Sequence, residues 1–429
     1  MIKIQFLILI FIIWQVQPVS GQVSNSDVLH LTEAYNLLHE NWPVSNKEVF
    51  QRKITDLNRR IAGSGWQPEF QVHARMSYQS DVTQVPFSAP GVEPPVFSKD
   101  QYNISLHAYQ TVFDGGRARA MQQAENFAGD AELARIEVEM HAVKNRMEQV
   151  WYGILLLQKE HESIELMRED LLEQLAQVQS KVEHGVLLPG NELVMKAELI
   201  RIEQELARIY GRIQAGYAVL SELLGVDVVP ETELKTTVTS SFQVEKGTIF
   251  MRPEYELFDA GLRILDSQKS FAASEMMPVV SLFATSAYGR PGLNVFDDDL
   301  QFYWILGVRA QWSFRNTRNA KLKSEIISLQ KNSIETDRET FTRNLSASLR
   351  SLENEIESFR LMIEQDDEVL RLRKLVTEEK KNLLMQGVIT STEYITELNA
   401  ETRTRLNLEA RKIRLTQLIT EYETIRGNR

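Results

Sequence analysis

The sequence has no cysteine and only one long apolar run, and both features restrict the class of protein. Because none of its 429 residues is cysteine, disulfide bonds and the thioether-linked lipid of bacterial lipoproteins are excluded. Beyond residue 21, no segment reaches the ~18 consecutive apolar residues of a membrane-spanning helix. If this chain crosses a membrane, we expect strands to make the crossing.

Acidic residues outnumber basic ones, 59 to 48. The formal net charge is −11, and Lys and Arg do not cluster into the kind of stripe that binds phosphate groups. The composition therefore argues against nucleic-acid binding.

Residue patterns typical of catalysis are missing as well. The seven histidines are scattered, and none lies at the spacing of a metal-binding motif along the chain. Gly115 and Gly116 are a lone pair at a turn, without the further glycine of a phosphate-binding loop. We predict no enzymatic activity, no cofactor and no metal.

The single apolar run lies at the start of the sequence. Met1 to Lys3 is a short basic segment, Ile4 to Trp14 is apolar throughout, and small residues follow at Val19, Ser20 and Gly21. These features predict a secretory signal peptide over residues 1–21. The apolar run is too short to span a bilayer as a helix, which requires ~20 residues.

The remaining sequence contains two similar halves. Pro43 and Pro68 are 25 residues apart, as are Pro253 and Pro278. Such a fixed spacing indicates an internal repeat. We predict a first repeat over 22–225, a linker over 226–247 and a second repeat over 248–429.

Four segments alternate apolar and polar side chains with a period of two, although the third is less regular. They cover residues 69–80, 101–113, 279–288 and 301–314. At about ten residues, with aromatic residues near their ends, they resemble strands that face lipid on one side and a wet lumen on the other. We assign four polar-face residues to that lumen: His73, Arg75, His107 and Arg309. The pattern equally fits an ordinary antiparallel sheet with one buried and one solvated face.

Four strands cannot close a barrel, and an open sheet edge in hydrocarbon leaves backbone groups unpaired. A spanning chain must therefore oligomerise. Two copies would supply eight strands and three would supply twelve, and the strand pattern does not choose between them.

Most of the chain is predicted to be helical. Leu, Ile, Val and Met recur at three- and four-residue spacing over 116–224 and again over 316–425, which predicts two long helical hairpins. An outgoing helix of this length would be on the order of 100 Å long. The hairpins turn at residues 185–190 and 387–390.

Several short segments together resemble the TolC-like outer-membrane efflux protein family over about residues 31–422. These are Leu31-Thr-Glu-Ala, Asn41-Trp-Pro43, Arg252-Pro-Glu254, Phe113-Asp-Gly-Gly-Arg117 and the turns Gly185-Val and Gly387-Val. Each turn is followed six residues later by a polar or acidic residue, Asn191 and Glu393. The order and spacing of these segments carry the resemblance.

The resemblance implies an α+β membrane protein. In this arrangement, a homotrimer forms a twelve-stranded β-barrel, with four strands per chain, in the lipid of the outer membrane. A long α-helical coiled-hairpin tunnel continues it across the periplasm. The chain would be a passive duct for small molecules, whose partners are a periplasmic adaptor protein and an inner-membrane pump.

The resemblance also implies a gate. The first acidic position of the family's periplasmic constriction falls on Glu393, but the second falls on Thr396. Glu397, one residue later, is the substitute for this second acidic position, but its side chain is rotated by ~100° about the helix axis relative to residue 396. Alternatively, Thr390 and Glu393 form a capping box at the start of the returning helix.

The hairpin turns carry apolar residues at sites where the family meets its adaptor. These residues are Gly185, Val186, Leu187, Leu188, Gly387, Val388 and Ile389. We favour adaptor docking, because three consecutive apolar residues exceed what one turn needs. The alternative is that they staple their own helix ends together.

Two other functions remain open. The same duct could serve a type I protein secretion system, since substrate choice lies with the pump. A soluble periplasmic scaffold or adaptor is a weaker candidate, because adaptors usually carry one hairpin flanked by small β-domains, whereas this sequence predicts two hairpins and lipid-type strands.

Overall fold

The computed structural model describes residues 28–82, 97–236, 251–294 and 297–427. The predicted signal peptide and residues 237–247 of the predicted linker lie outside these ranges. The prediction of a mostly helical chain with a few strands is confirmed. The helices are α1 (Leu31–Asn41), α2 (Pro43–Gly63), α3 (Arg117–Glu183), α4 (Pro189–Leu224), α5 (Pro253–Ser274), α6 (Phe314–Met385) and α7 (Ser391–Arg426). The strands are β1 (Val28–His30), β2 (Glu69–Tyr78), β3 (Asp100–Phe113), β4 (Glu233–Lys235), β5 (Val279–Arg290) and β6 (Gln301–Gln311).

The chain forms two compact units, each assembled from three stretches of sequence. The helical unit comprises the described residues of Met1–Pro43, Ala142–Gly247 and Ser351–Glu423. The sheet unit comprises those of Val44–His141, Thr248–Arg350 and Thr424–Arg429.

The core of the helical unit is made by side chains at three- and four-residue spacing. One cluster joins residues of α3, α4, α6 and α7: Met167, Leu171, Leu175, Val178, Leu187, Met195, Ile202, Leu206, Leu384, Tyr394, Ile395 and Leu398. Fully burying such a side chain contributes about 1.5–3 kcal/mol relative to leaving it exposed. Burial of this cluster therefore contributes more to the stability of the hairpins than the intrinsic helix propensities of the individual residues.

Two very short strands also belong to the helical unit. β1 pairs with β4 in parallel, so that Leu29 lies opposite Leu234, and both side chains are buried. β4 lies inside the segment 226–247 that we predict to be the linker between the repeats. A three-residue strand has too few side chains to show a period of two, and its partner is distant in the sequence.

The sheet unit contains a four-stranded antiparallel sheet in the order β2-β3-β5-β6. The third strand extends to Arg290, beyond the predicted end at 288. β2 ends at Tyr78 and β6 at Gln311, earlier than the predicted 80 and 314. After the end of β6, the backbone N–H of Asn316 donates to the Ser313 carbonyl at 3.3 Å, so the chain has already turned into α6.

α3 begins on a carboxylate cap. The Asp114 side chain accepts hydrogen bonds from the backbone N–H groups of Gly116 at 2.9 Å and Ala118 at 2.7 Å. Such bonds satisfy amide groups that have no partner within the helix. Within the described part of the chain, no helix is both long and apolar enough to cross a membrane.

The end of α4 supplies a test of this packing. Gly225 has φ +64°, and an added Cβ would lie 2.7 Å from the Cβ of Asn41, whose side-chain nitrogen donates to the Leu224 carbonyl at 2.8 Å. We expect Gly225→Ala to lower the free energy of unfolding by at least ~1–2 kcal/mol, the cost of a left-handed conformation with a Cβ. Circular dichroism during denaturant unfolding measures this loss.

Gly190→Ala is the matched control, because an added Cβ there meets no atom within 4 Å and the residue lies in the first turn of α4. The control is expected to unfold like the parent protein. Equal stability of the two variants would contradict the assigned strain.

Candidate functional site

The sheet brings together the four residues predicted to line a lumen. In the register of β2 with β3, His73 lies opposite Ser105 and Gln71 lies opposite His107. Arg75 follows His73 by two residues, and Arg309 lies opposite Ser281 in the register of β5 with β6. Since side chains two apart share a face, His73, Arg75, His107 and Arg309 all belong to one polar face.

Polar and cation–π contacts hold this face in order. The Asn103 side-chain nitrogen donates to the Tyr303 hydroxyl at 3.1 Å. The Arg309 guanidinium lies 5.4 Å from the centre of the Phe283 ring, a distance at which the ring attracts a cation. The polar face therefore contains oriented hydrogen-bonding groups and charged side chains.

The opposite face is apolar and exposed in the isolated chain. Trp304 and Leu306 on β6 are each 69% exposed. Further exposed members are Phe70, Val72, Met76, Tyr78, Ile104, Leu106, Leu282, Tyr288, Phe302 and Val308. A continuous apolar surface across four strands marks an interaction with lipid or protein rather than with water.

The hairpin turns separate into buried and exposed residues. Leu187 is only 8% exposed and belongs to the helical core, and Ile389 packs partly buried against the same cluster. Val186, Leu188 and Val388 are 58%, 76% and 66% exposed. For Leu187 and Ile389 the stapling alternative describes the observed packing, because both side chains pack with the core cluster that joins α3, α4, α6 and α7.

The two turns also bind each other through polar groups that the sequence analysis did not assign. The Asn191 side-chain oxygen accepts from the backbone N–H of Ser391 at 2.8 Å, and Lys181 donates to the Met385 carbonyl. Asn191 was recognised only by its position six residues after the turn. Its role as a cap for α7 depends on the proximity of the two hairpins.

The glycines of both turns have positive φ, +74° at Gly185 and +76° at Gly387. This left-handed conformation ends a helix at little cost only when the residue has no Cβ. Both turns therefore require glycine for local reasons, whatever they contact.

The predicted gate residues have different surroundings. Glu393 is exposed, and its backbone N–H donates to the Thr390 hydroxyl at 3.4 Å, which is one of the two hydrogen bonds of a capping box. Glu397 is instead paired with Arg373 of α6 at 2.7 Å, and the Thr396 hydroxyl donates to the Thr392 carbonyl. Glu393 is thus the one predicted gate carboxylate without a basic partner among the described contacts.

The two returning helices, α4 and α7, are joined by a polar network. The Asn399 side-chain nitrogen donates to Glu198 at 3.0 Å, and Arg201 donates to both Glu198 at 2.6 Å and the Asn399 oxygen at 3.2 Å. The hydrogen bond from Arg201 holds the pKa of the Glu198 carboxyl below its ordinary value. The network thus keeps a carboxylate charged between helices.

Across the described residues, no group of three or more His, Asp or Glu side chains is arranged to hold a metal ion. The candidate site consists of the polar sheet face, the apolar sheet face and the two hairpin turns.

The packing of the turns generates a prediction. We expect Leu187→Ser to lower the free energy of unfolding by about 2–4 kcal/mol, because it removes buried apolar atoms from the core. The control Val186→Ser changes an exposed neighbour and should stay within ~0.5 kcal/mol of the parent protein. Chemical denaturation of both variants provides the measurement, and equal effects would show that Leu187 does not staple the turns.

Known structures resemble this fold closely, although sequence comparisons do not detect a relative. No protein-family model matches the chain, and no curated protein matches it in sequence. The chain superimposes on CusC with a TM-score of 0.72 and 13% identity, covering 91% of each chain. The outer-membrane channel OprN gives a TM-score of 0.72 at 11% identity, with 92% of this chain and 89% of that chain covered.

The Campylobacter jejuni CmeC outer membrane channel gives a TM-score of 0.69 at 12% identity, with 92% of this chain and 85% of that chain covered. At such low identity the similarity establishes the fold. The chain has the fold of the TolC-like outer-membrane efflux channels.

Proposed function

We propose that this protein is the outer-membrane channel of a tripartite efflux system. It is a passive duct through which small molecules leave the cell across the periplasm and the outer membrane. The observation that carries this proposal is the sheet with one exposed apolar face and one polar face, within a TolC-like fold. Similar solved structures are named as outer-membrane channels, which supports the same location for this chain.

The two faces suit a wall between lipid and water. The apolar face presents large side chains such as Phe70, Ile104 and Leu306, and a hydrocarbon phase is the environment that such a surface favours. The polar face presents His73, Arg75, His107 and Arg309, which a water-filled lumen hydrates. An ordinary soluble sheet would instead cover its apolar face with helices or a second sheet.

The open edges support closure of the sheet by further copies of the chain, and the TolC-like fold favours three copies. β2 and β6 are the outer strands of the sheet, so each has one edge without a strand partner among the described residues. Unpaired backbone groups in hydrocarbon cost several kcal/mol each. If β6 of one chain pairs with β2 of the next, three chains close a twelve-stranded barrel.

Exposed apolar stripes on the helices also suggest contacts between chains. On α2, which has no buried residue, Phe50, Ile54, Leu57 and Ile61 are exposed at spacings of three and four. On α6, Leu322, Ile326 and Leu329 repeat the pattern. Such stripes are typical of helices that pack in coiled coils, and we assign them to neighbouring chains in the trimer.

We further propose that the exposed turn residues dock a periplasmic adaptor that connects the duct to an inner-membrane pump. The side chains available for this contact are Val186, Leu188 and Val388, since Leu187 and Ile389 serve the internal packing. Each chain would contribute two turns to this contact, one from the predicted repeat over 22–225 and one from the predicted repeat over 248–429.

We also propose Glu393 as the gate residue. Its exposed carboxylate, repeated in three chains near a common axis, would attract cations. Glu397 is poorly suited to form a second ring of carboxylates, because its charge is paired with Arg373 of the same chain.

The membrane assignment predicts different effects for substitutions on the two opposite faces of β6. Leu306→Arg places a charge on the proposed lipid face, where it costs ~2–4 kcal/mol at mid-bilayer depth, and should sharply reduce trimer in the outer-membrane fraction of a Gram-negative host. Ile305→Arg makes a similar change on the polar face, opposite Thr285, and should be tolerated. Cross-linking and heat-modifiability measure the trimer.

For the parent protein, a trimer in the outer-membrane fraction is the expected result. A monomer or dimer recovered in the soluble periplasm would overturn the channel proposal.

The gate assignment predicts a change in cation block. In planar bilayers, we expect Glu393→Ala to weaken block by divalent cations by roughly tenfold, equivalent to ~1.4 kcal/mol. Glu192→Gln is the control, because Glu192 also lies in the first turn of a returning helix but is paired with Lys196 at 2.6 Å. Unchanged block in Glu393→Ala would rule out this gate.

A further inference from the structure

Two imidazole rings meet on the polar face of the sheet. The ring centres of His73 on β2 and His107 on β3 lie 4.9 Å apart, and the ring planes are inclined by 58°. Two nitrogens that bind the same ion lie roughly 3–4 Å from each other, since each is ~2 Å from the metal. The ring separation permits this distance, and the inclined planes allow two in-plane lone pairs to converge.

Hydrogen bonds to His73 leave one of its nitrogens available. The Gln71 side-chain nitrogen donates to Glu69 at 2.6 Å, so the Gln71 oxygen is free to accept from His73 Nε2 at 3.1 Å. This places the proton of neutral His73 on Nε2. His73 Nδ1 then carries a lone pair and has no hydrogen-bond partner among the described residues.

His107 is held between hydroxyl groups. The Ser105 hydroxyl lies 2.9 Å from Nε2 and the Thr285 hydroxyl lies 3.1 Å from Nδ1. A hydroxyl can donate or accept, so either ring nitrogen of His107 can carry the proton. When one nitrogen binds a metal, the other can donate to its hydroxyl, and such a second contact orients a metal-binding histidine.

We propose that His73 and His107 form a binding site for one divalent first-row transition-metal ion per chain. Neutral imidazole is the characteristic ligand of Zn²⁺, Cu²⁺ and Ni²⁺, whereas Mg²⁺ and Ca²⁺ favour oxygen ligands. Water completes the coordination, because His73 is exposed and His107 is only half-buried. Glu69 and Arg75 carry opposite charges on this face of β2, so the two imidazoles, rather than the net charge, carry the preference for the metal. This proposal does not rest on the channel function.

Titration of the full-length, detergent-solubilised protein with Zn²⁺ in a calorimeter tests the site. We expect one Zn²⁺ per chain, and a loss of affinity of at least about tenfold when either ligand is replaced in His73→Asn or His107→Asn. Electron paramagnetic resonance with Cu²⁺ gives a second readout, in which the parent protein shows two nitrogen ligands and each variant shows fewer.

His184→Asn is the matched control. His184 is an exposed, isolated imidazole whose Nδ1 lies 2.6 Å from the Ser180 carbonyl, so its loss should leave Zn²⁺ affinity and stoichiometry unchanged. The proposal is overturned if the parent protein shows no saturable binding, or if His73→Asn and His107→Asn bind Zn²⁺ as the parent does.

Discussion

The outer edges of β2 and β6 have no strand partner in the described part of the chain, and the need to pair them constrains the rest of this protein. β2 and β6 are the first and last strands of the sheet, and one face of that sheet is apolar and exposed. In water the apolar face is unfavourable, and in lipid the open edges are unfavourable. Lipid would cover the apolar face, and closure by further copies of the chain would pair the open edges, so the membrane location and the trimer belong to one proposal.

A different constraint governs the hairpin turns. Each turn must reverse a long helix and satisfy the last helical carbonyl groups, and glycine at positive φ achieves this. Burial of Leu187 and the bond from Ser391 to Asn191 then lock the two turns to each other. Any docking partner must therefore use the side chains that remain exposed, so the internal packing limits the chemistry available for recognition.

Much of the fold could be predicted from the sequence, because strands and helices repeat locally. The period of two in β2, β3 and β6 and the three- and four-residue spacing in α3 and α4 need no knowledge of distant residues. The TolC-like fold inferred from short segments is confirmed by the structural similarity. The strands β1 and β4 escaped prediction because three residues contain no period.

The sequence by itself determined which side chains share a face of a strand or helix, since this depends only on neighbouring residues. Tertiary structure decided which faces meet. Strand register placed His73 beside His107, and hairpin packing buried Leu187 while leaving Val186 exposed. It also paired Glu397 with Arg373 and left Glu393 exposed. Such contacts join residues that are distant in the chain, and their geometry follows from packing, which no local pattern records.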